Sequence, residues 1–391
     1  MSFDGRRVAV ALAGFCTFID LYAPQSILPM LSQELGAGAA DVGLLVSATT
    51  FAVALIAPFT GAAADVLGRK RIIAAAMIAL VLPTALVGLS TTLSGMVLWR
   101  FVQGLLLPPV FAITIAYVGE EFPPAEATGV TGLYLSASSL GGFFGRFITG
   151  ILAESIGWRG AFLVLAAITL LCAVAVIVLL PRERRFVRSP GLASSLRQML
   201  THLANPRLAA TFAVGSTVLF AFIATFTYVN FHLAAPPFDL SPTALGAIFV
   251  VYLTGAVTTL LTGPGVARFG RRRLVVTLIG VWAGGLMLTL IPSLPVIILG
   301  LAVSTGCGFV CQAVATGFVA ISATQGRSSA VGLYVTCYYV GGSVGGLLAG
   351  FAWNWAGWPG CVAMILAALA AMAAIVLGGW REPAIGSASA R

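Results

Sequence analysis

Charge is what this sequence has least of. Only 8% of its 391 residues are Asp, Glu, Lys or Arg, whereas 59% are hydrophobic. A soluble domain carries about 25% charged residues, so a water-exposed globule is excluded and a polytopic membrane protein is implied. Histidine is nearly missing, with His202 and His232 alone. Neither stands near a nucleophile pattern or a second metal ligand, so no enzyme activity, metal or organic cofactor is expected. The six cysteines (Cys16, Cys172, Cys307, Cys311, Cys337 and Cys361) fall in apolar runs, without a CxxC pair or a Cys/His cluster. They read as small buried apolar residues. The first apolar run continues without a small-residue cleavage site, so no cleaved leader is expected.

Long apolar runs are what the sequence has in abundance. A spanning helix needs about 20 mainly apolar residues. Such runs lie near 8–30, 42–62, 72–91, 95–118, 128–153, 160–180, 208–232, 242–264, 273–291, 295–319, 330–354 and 359–380. They predict an all-α membrane protein with twelve transmembrane helices in two six-helix bundles. The first bundle covers 1–180 and the second 208–391. A basic linker at 181–207 joins them and contains "SSLRQMLTHLANP", which looks like an amphipathic surface helix. Proline-rich punctuation such as "EFPPAEAT" and "APPFDLSPT" marks the breaks between runs.

The net charge of +9 invites a nucleic-acid reading. Its distribution argues otherwise. With the N-terminus placed inside, 18 of the 21 Lys and Arg residues fall on the cytoplasmic side, spread over loops. That is an orientation signal, not a groove-sized patch. It predicts a multi-pass protein with both termini cytoplasmic, surrounded by lipid and not binding nucleic acid.

The halves repeat. "GLYLSASSLGGFFGRFITGILAESIGWRG" at 132–160 aligns without gaps onto "GLYVTCYYVGGSVGGLLAGFAWNWAGWPG" at 332–360, with 10 of 29 positions identical. "GAAADVLGRKR" at 61–71 likewise matches "GPGVARFGRRR" at 263–273. Parallel halves packed around a midplane site are a recurring transporter plan. Glycines such as Gly141, Gly145 and Gly150 suit close approach of another helix. Arg146 does not belong to that packing pattern, because the second copy keeps the glycines and carries Gly346 in its place.

Within the apolar runs stand one acid, Asp20, and two bases, Arg100 and Arg146. Each costs about 2.5–3.5 kcal/mol at mid-membrane on insertion scales, which makes a functional role the default expectation. Arginine keeps its proton at any working pH, so Asp20 is the titratable candidate deep in the bundle. An adjacent arginine would favour proton release from it, and withdrawal of that arginine would favour uptake. Arg146 has three readings: a pair with Asp20, a side chain reaching to an interface, or a charge presented to an anionic substrate. Polar and aromatic candidates for the substrate path are Tyr22, Gln25, Gln103, Tyr228, Asn230, Tyr252, Gln312, Tyr334 and Tyr338. Two buried arginines against one acid favour a neutral or anionic small molecule over a cation.

"GAAADVLGRKR" resembles the loop signature of the major facilitator superfamily, and "RFVQG" at 100–104 resembles its helix-4 signature. The fifth run resembles the antiporter signature through Gly132, Gly141, Gly145 and Gly150, with Arg146 where that signature has proline and Thr149 for one glycine. "FIDLYAPQSILPML" is similar to the first helix of bacterial drug and sugar efflux members. The resemblance implies a monomeric secondary transporter of a bacterial inner membrane that works by alternating access, exporting a small organic compound against protons. The proton gradient is then the energy source. It further implies proton coupling at Asp20 and Arg100, and gating by Gly61, Asp65, Gly68, Arg69 and Arg71 together with Gly141, Gly145 and Gly150. An organic-anion uniporter, importer or exchanger with Arg146 on the anion is the alternative.

Overall fold

The computed structural model describes residues 4–183, 199, 201–323 and 327–380, leaving aside the side chains of 61–67, 320, 327 and 328. Every element of regular structure among them is helical. Of the stretch expected as an amphipathic helix in the linker, Met199 and 201–203 are helical, with Met199 and His202 buried and Thr201 and Leu203 exposed, while 194–198 and 200 lie outside the described residues.

The first half opens with α1 (Gly5–Leu35), which contains a 3-10 turn at Ala23–Ile27 where Pro24 interrupts the α-helical ladder. Then come α2 (Ala39–Leu67), α3 (Arg69–Leu89) and α4 (Leu93–Glu121). A continuous element, Pro124–Leu179, bends at Gly157 (φ 78°) and supplies α5 before the bend and α6 after it. The second half repeats this order. α7 is Pro206–Ala234, and α8 is Pro242–Thr259 with a 3-10 turn at Phe249–Val251. α9 (Arg271–Leu288) and α10 (Leu294–Ser322) follow. The element Arg327–Gly379 breaks at Ala356 and Gly357 to give α11 and α12. Side chains cap several starts: Asp4, Thr92, Asn205 and Ser241 each accept a backbone N–H of the turn they precede.

The sharp corners fall at glycines in matching places of the two copies. Gly68 (φ 91°) separates α2 from α3, and Gly270 (φ 74°) separates α9 from the short helix Thr262–Phe269 that follows α8. Gly157 and Gly357 do the same after α5 and α11. A positive φ is cheap only without a Cβ, so the duplication is visible in the backbone as well as in the residues.

Helix contacts are duplicated too. In α5, Gly141 and Gly145 lie against the backbone of Phe15 and Ile19 in α1, leaving no space for a Cβ. In α11, Gly341 and Gly345 lie in the same way against Ser216 and Phe220 of α7. The next glycine of each series leaves its own half. Gly150 meets Pro242 and Thr243 of α8, and Gly350 meets Ala40 of α2. Of the three expected gating glycines in α5, Gly141 and Gly145 therefore pack inside the first half, and Gly150 sits on the seam.

The seam lies at the end of the bundle opposite the N-terminus, called the far end below. The described hydrogen bonds between the halves all lie toward it. Glu154 accepts from the backbone N–H of Thr243 (2.8 Å), Ser343 donates to the carbonyl of Ser47 (3.0 Å), and Gln25 donates to Thr227 Oγ1 (3.2 Å). At the N-terminal end the described ion pairs stay inside the first half. Arg7 pairs with Glu126 (2.6 Å) and Arg69 with Glu120 (2.8 Å).

Candidate translocation site

Asp20 lies in the middle of α1, with 1% of its surface exposed. No guanidinium pairs with its carboxylate. Thr169 Oγ1 of α6 lies 2.8 Å from Oδ2, and Thr84 Oγ1 of α3 lies 3.3 Å from Oδ1. Each hydroxyl also has a backbone acceptor one turn back in its own helix, Leu165 O at 2.9 Å and Leu80 O at 2.8 Å. A hydroxyl carries one proton and can accept as well as donate. With both protons turned toward Asp20, the cradle solvates a carboxylate. With one turned to its helix carbonyl, the freed lone pair accepts a proton from a carboxylic acid. The cradle thus serves both forms without leaving an orphaned group.

Arg100 is fully buried in α4 and is spent on neutral acceptors. Its Nε donates to Leu45 O (3.0 Å), Nη1 to Asp20 O (2.8 Å) and Gln103 Oε1 (2.7 Å), and Nη2 to Leu21 O. Gln103 in turn donates to Thr84 Oγ1 (2.7 Å). A chain therefore runs from Arg100 through Gln103 and Thr84 to Asp20. The arginine reaches the acid through two intermediates and through the acid's own backbone, where a direct ion pair was one expectation.

Arg146 neither pairs with Asp20 nor reaches an interface, being 1% exposed. Its Nη1 donates to Gly142 O (2.6 Å), one turn back in α5, and its Nε to Gln25 Oε1 of α1 (2.7 Å). Three rings surround the guanidinium. Its central carbon is 4.3 Å from the centroid of Phe249, 4.5 Å from Tyr22 and 4.9 Å from Tyr252. Two of those rings belong to α8, so Arg146 touches both halves one turn inside the Gly150 contact. Aromatic faces hold a desolvated cation, each contributing about 0.5–2 kcal/mol, without cancelling its charge. Among the described residues, no carboxylate lies within ion-pair distance of it.

The remaining expected residues divide. Tyr22, Gln25 and Tyr252 join Arg146, and Gln103 joins the Asp20 network. Tyr334 and Tyr338 stack at 6.1 Å in α11, and Tyr338 meets Tyr339 at 5.5 Å. Tyr339 stacks on Phe111 of α4 across the halves (6.1 Å). Tyr228 and Asn230 do not hydrogen-bond the arginine: Tyr228 donates to Gly346 O (3.1 Å) with its hydroxyl against Gly43 of α2 across the seam, and Asn230 donates to Phe226 O (2.7 Å) within its own helix. Gln312 is half-buried in α10.

Arg69 grips Glu120 with two nitrogens, Nε at 3.2 Å and Nη2 at 2.8 Å, tying the start of α3 to the end of α4. Glu120 is thereby a partner in an ion pair. Gly68 provides the corner before it, and Arg71 lies in the first turn of α3. The Asp65 side chain and the space around Gly61 lie outside the described residues.

Sequence reasoning missed Thr84, Thr169, Thr227 and Phe249. The three threonines were available as isolated hydroxyls in apolar runs, a signal weaker than charge. Phe249 is one phenylalanine among 24.

The Major Facilitator Superfamily model matches residues 10–235 and again 219–389, two overlapping matches that together cover nearly all of the chain. The chain belongs to the Major Facilitator Superfamily. Within the superfamily it is 32% identical over 378 residues to the inner membrane transport protein YnfM of Escherichia coli, covering 95% of this chain and 89% of that protein. It is 31% identical over 363 residues to the MFS-type transporter YybF of Bacillus subtilis, covering 92% and 90%. The fold matches the crystal structure of the nucleoside transporter NupG with a TM-score of 0.78 at 16% identity, covering 98% of this chain and all of that one. This major facilitator is a multi-pass membrane transporter, and not an enzyme.

Proposed function

We propose that the protein is a proton-coupled exporter of a small organic compound, anionic or neutral, working by alternating access. The observation that carries the reading is the Asp20 cradle. It is an acid buried in mid-membrane, held by two hydroxyls that serve either protonation state, and it is connected through Thr84 and Gln103 to Arg100. With the arginine-rich N-terminal end at the cytoplasm, the seam at Gly150 and Gly350 is the closed outer gate. Substrate then enters from the cytoplasm, and protons arriving from outside reload Asp20. The outward direction rests on the likeness of α5 to the antiporter signature.

Flux in proteoliposomes under an imposed pH gradient tests this. Gradient-driven accumulation of a transported compound should be lost in Asp20→Asn, while exchange of that compound at equal pH persists. If the variant accumulates it as the wild type does, proton coupling at Asp20 is wrong. A second reading, an organic-anion uniporter or exchanger, is favoured by the uncancelled charge of Arg146. It predicts uptake that ignores the gradient altogether.

A further inference from the structure

Arg146 donates through two of its three nitrogens, and the third has no hydrogen-bond partner among the described residues. Nη1 is anchored on Gly142 O of its own helix, and Nε is taken by Gln25 Oε1. A guanidinium binds a carboxylate best side-on, with two parallel N–H groups on its two oxygens. The edge formed by Nε and Nη2 is such a fork, with an amide oxygen on Nε and no hydrogen-bond acceptor on Nη2 among the described residues. The opposite nitrogen is held on the protein, so the fork stays in place when its occupant changes.

We infer that Gln25 is a built-in stand-in for a substrate carboxylate, and that the transported compound is an organic monoanion which displaces it from Arg146. This deepens the proposed function and rests on taking the centre between the halves as the transport site. A neutral amide oxygen on a charged donor is a weaker partner than a carboxylate, so exchange favours the anion. One guanidinium with no other uncompensated base beside it matches one negative charge. The rings of Tyr22, Phe249 and Tyr252 leave the rest of the surroundings apolar, which suits a compound with a hydrophobic or aromatic body.

Displacement also has a mechanical consequence. The Gln25 amide joins the halves, because its Nε2 donates to Thr227 Oγ1 of α7 (3.2 Å) while Oε1 holds Arg146. Once a carboxylate takes the fork, Gln25 loses the contact that orients it toward Thr227. Binding would therefore undo one of the described hydrogen bonds that close the outer seam. The same displacement that selects the substrate loosens the gate.

Equilibrium binding to the purified full-length protein in detergent tests the inference. The probes are acetate, benzoate and phenylacetate, with succinate, benzylamine and benzyl alcohol as matched controls. Benzoate and phenylacetate should bind, succinate should bind more weakly, and the amine should not bind. Arg146→Gly, the residue of the second copy, should lower benzoate affinity by about 10–100-fold, the loss expected for hydrogen bonds to a charged group. Arg146→Lys, which keeps the charge and loses the fork, should lower it by about tenfold. Gln25→Ala removes the competitor and should raise affinity, as should the milder Thr227→Val, which only releases the amide. Melting curves without ligand confirm that each variant is folded. The inference is overturned if no monocarboxylate binds, if benzylamine binds as well as benzoate, or if folded Gln25→Ala and Thr227→Val both bind benzoate more weakly. Because no membrane or gradient is involved, a failure of proton coupling in the flux assay leaves this result unaffected, and the reverse holds as well.

Discussion

Arg146 and Phe249 face each other across the two halves, the guanidinium carbon 4.3 Å from the ring centroid. The equivalent pair of the repeat is Gly346 and Ser47, where a Cβ on the glycine would collide with the serine hydroxyl. The asymmetry of charge between the halves has a local structural correlate. α8 turns into a 3-10 segment at Phe249–Val251, beside the arginine, whereas α2 continues as a regular α-helix past Ser47. One crossing accommodates a long side chain among rings, and the other is closed tightly around a glycine.

Gly346→Ala should therefore destabilise the far-end seam without touching any charge. Overpacking of a close contact costs about 1–3 kcal/mol, to be read as a lowered melting temperature of the purified protein. Ser47→Gly should be mild alone and should restore most of the loss in the double variant. A double-mutant cycle measures this coupling. Additive losses would show that the strain lies elsewhere.

The Asp20 cradle makes a prediction about pH. Hydroxyl donation favours the carboxylate, so removing it leaves Asp20 holding its proton more tightly. On the proposed proton-coupled cycle, release then needs a more alkaline cytoplasmic face. Thr169→Val should move the half-maximal pH of transport upward by about one unit, on the scale that links one unit to 1.36 kcal/mol. Thr84→Val should act in the same direction and more weakly, since its contact is longer, 3.3 Å against 2.8 Å. An unchanged profile in Thr169→Val would remove the hydroxyls from the coupling step.

The architecture was legible because it is written in composition. Apolar runs gave twelve spans, and the offset of about 200 residues announced the repeat before Gly68, Gly157, Gly270 and Gly357 showed it as backbone corners. The charged centres were legible too, since Asp20, Arg100 and Arg146 stand out against an apolar background. Their partners were not. Arg100 satisfies itself on the carbonyls of Asp20, Leu21 and Leu45, and a carbonyl leaves no mark in a sequence. Asp20 is held by Thr84 and Thr169, which lie 64 and 149 residues away. Sequence order carries charge but not distance, so a pair of opposite charges was an expectation that only coordinates correct.

At the N-terminal end, the Arg69–Glu120 pair anchors the corner at Gly68. Its side chains are 8% and 31% exposed, so it is shielded on one side only. A partly exposed pair contributes up to about 1 kcal/mol, too little to decide folding and enough to bias a gate. Glu120→Ala should leave expression and melting nearly unchanged and lower the transport rate. Exchanging the charges in Arg69→Glu with Glu120→Arg should recover part of it. No recovery in the folded double variant would mean that Arg69 acts through another group.

Glu154 should behave as an outer latch. It stands at the end of α5, and its carboxylate accepts the backbone N–H of Thr243 at 2.8 Å, in the first turn of α8 in the other half. Negative charge at a helix start is favoured by the unpaired N–H groups and the helix dipole. Beside it, Gly150 lets the two backbones touch, so the latch holds the halves where they already fit. Glu154→Gln keeps an acceptor oxygen and loses the charge, and Glu154→Ala loses both. The population with an open far end should rise in the order wild type, Gln, Ala, measured as spin-label distances between the far ends of α5 and α8. The Arg69–Glu120 end should not respond in the same sense if the proposed alternating-access cycle holds, because there opening one end closes the other. If the far-end distance distribution of Glu154→Ala matches that of the wild type, the seam is held by the glycine contacts alone.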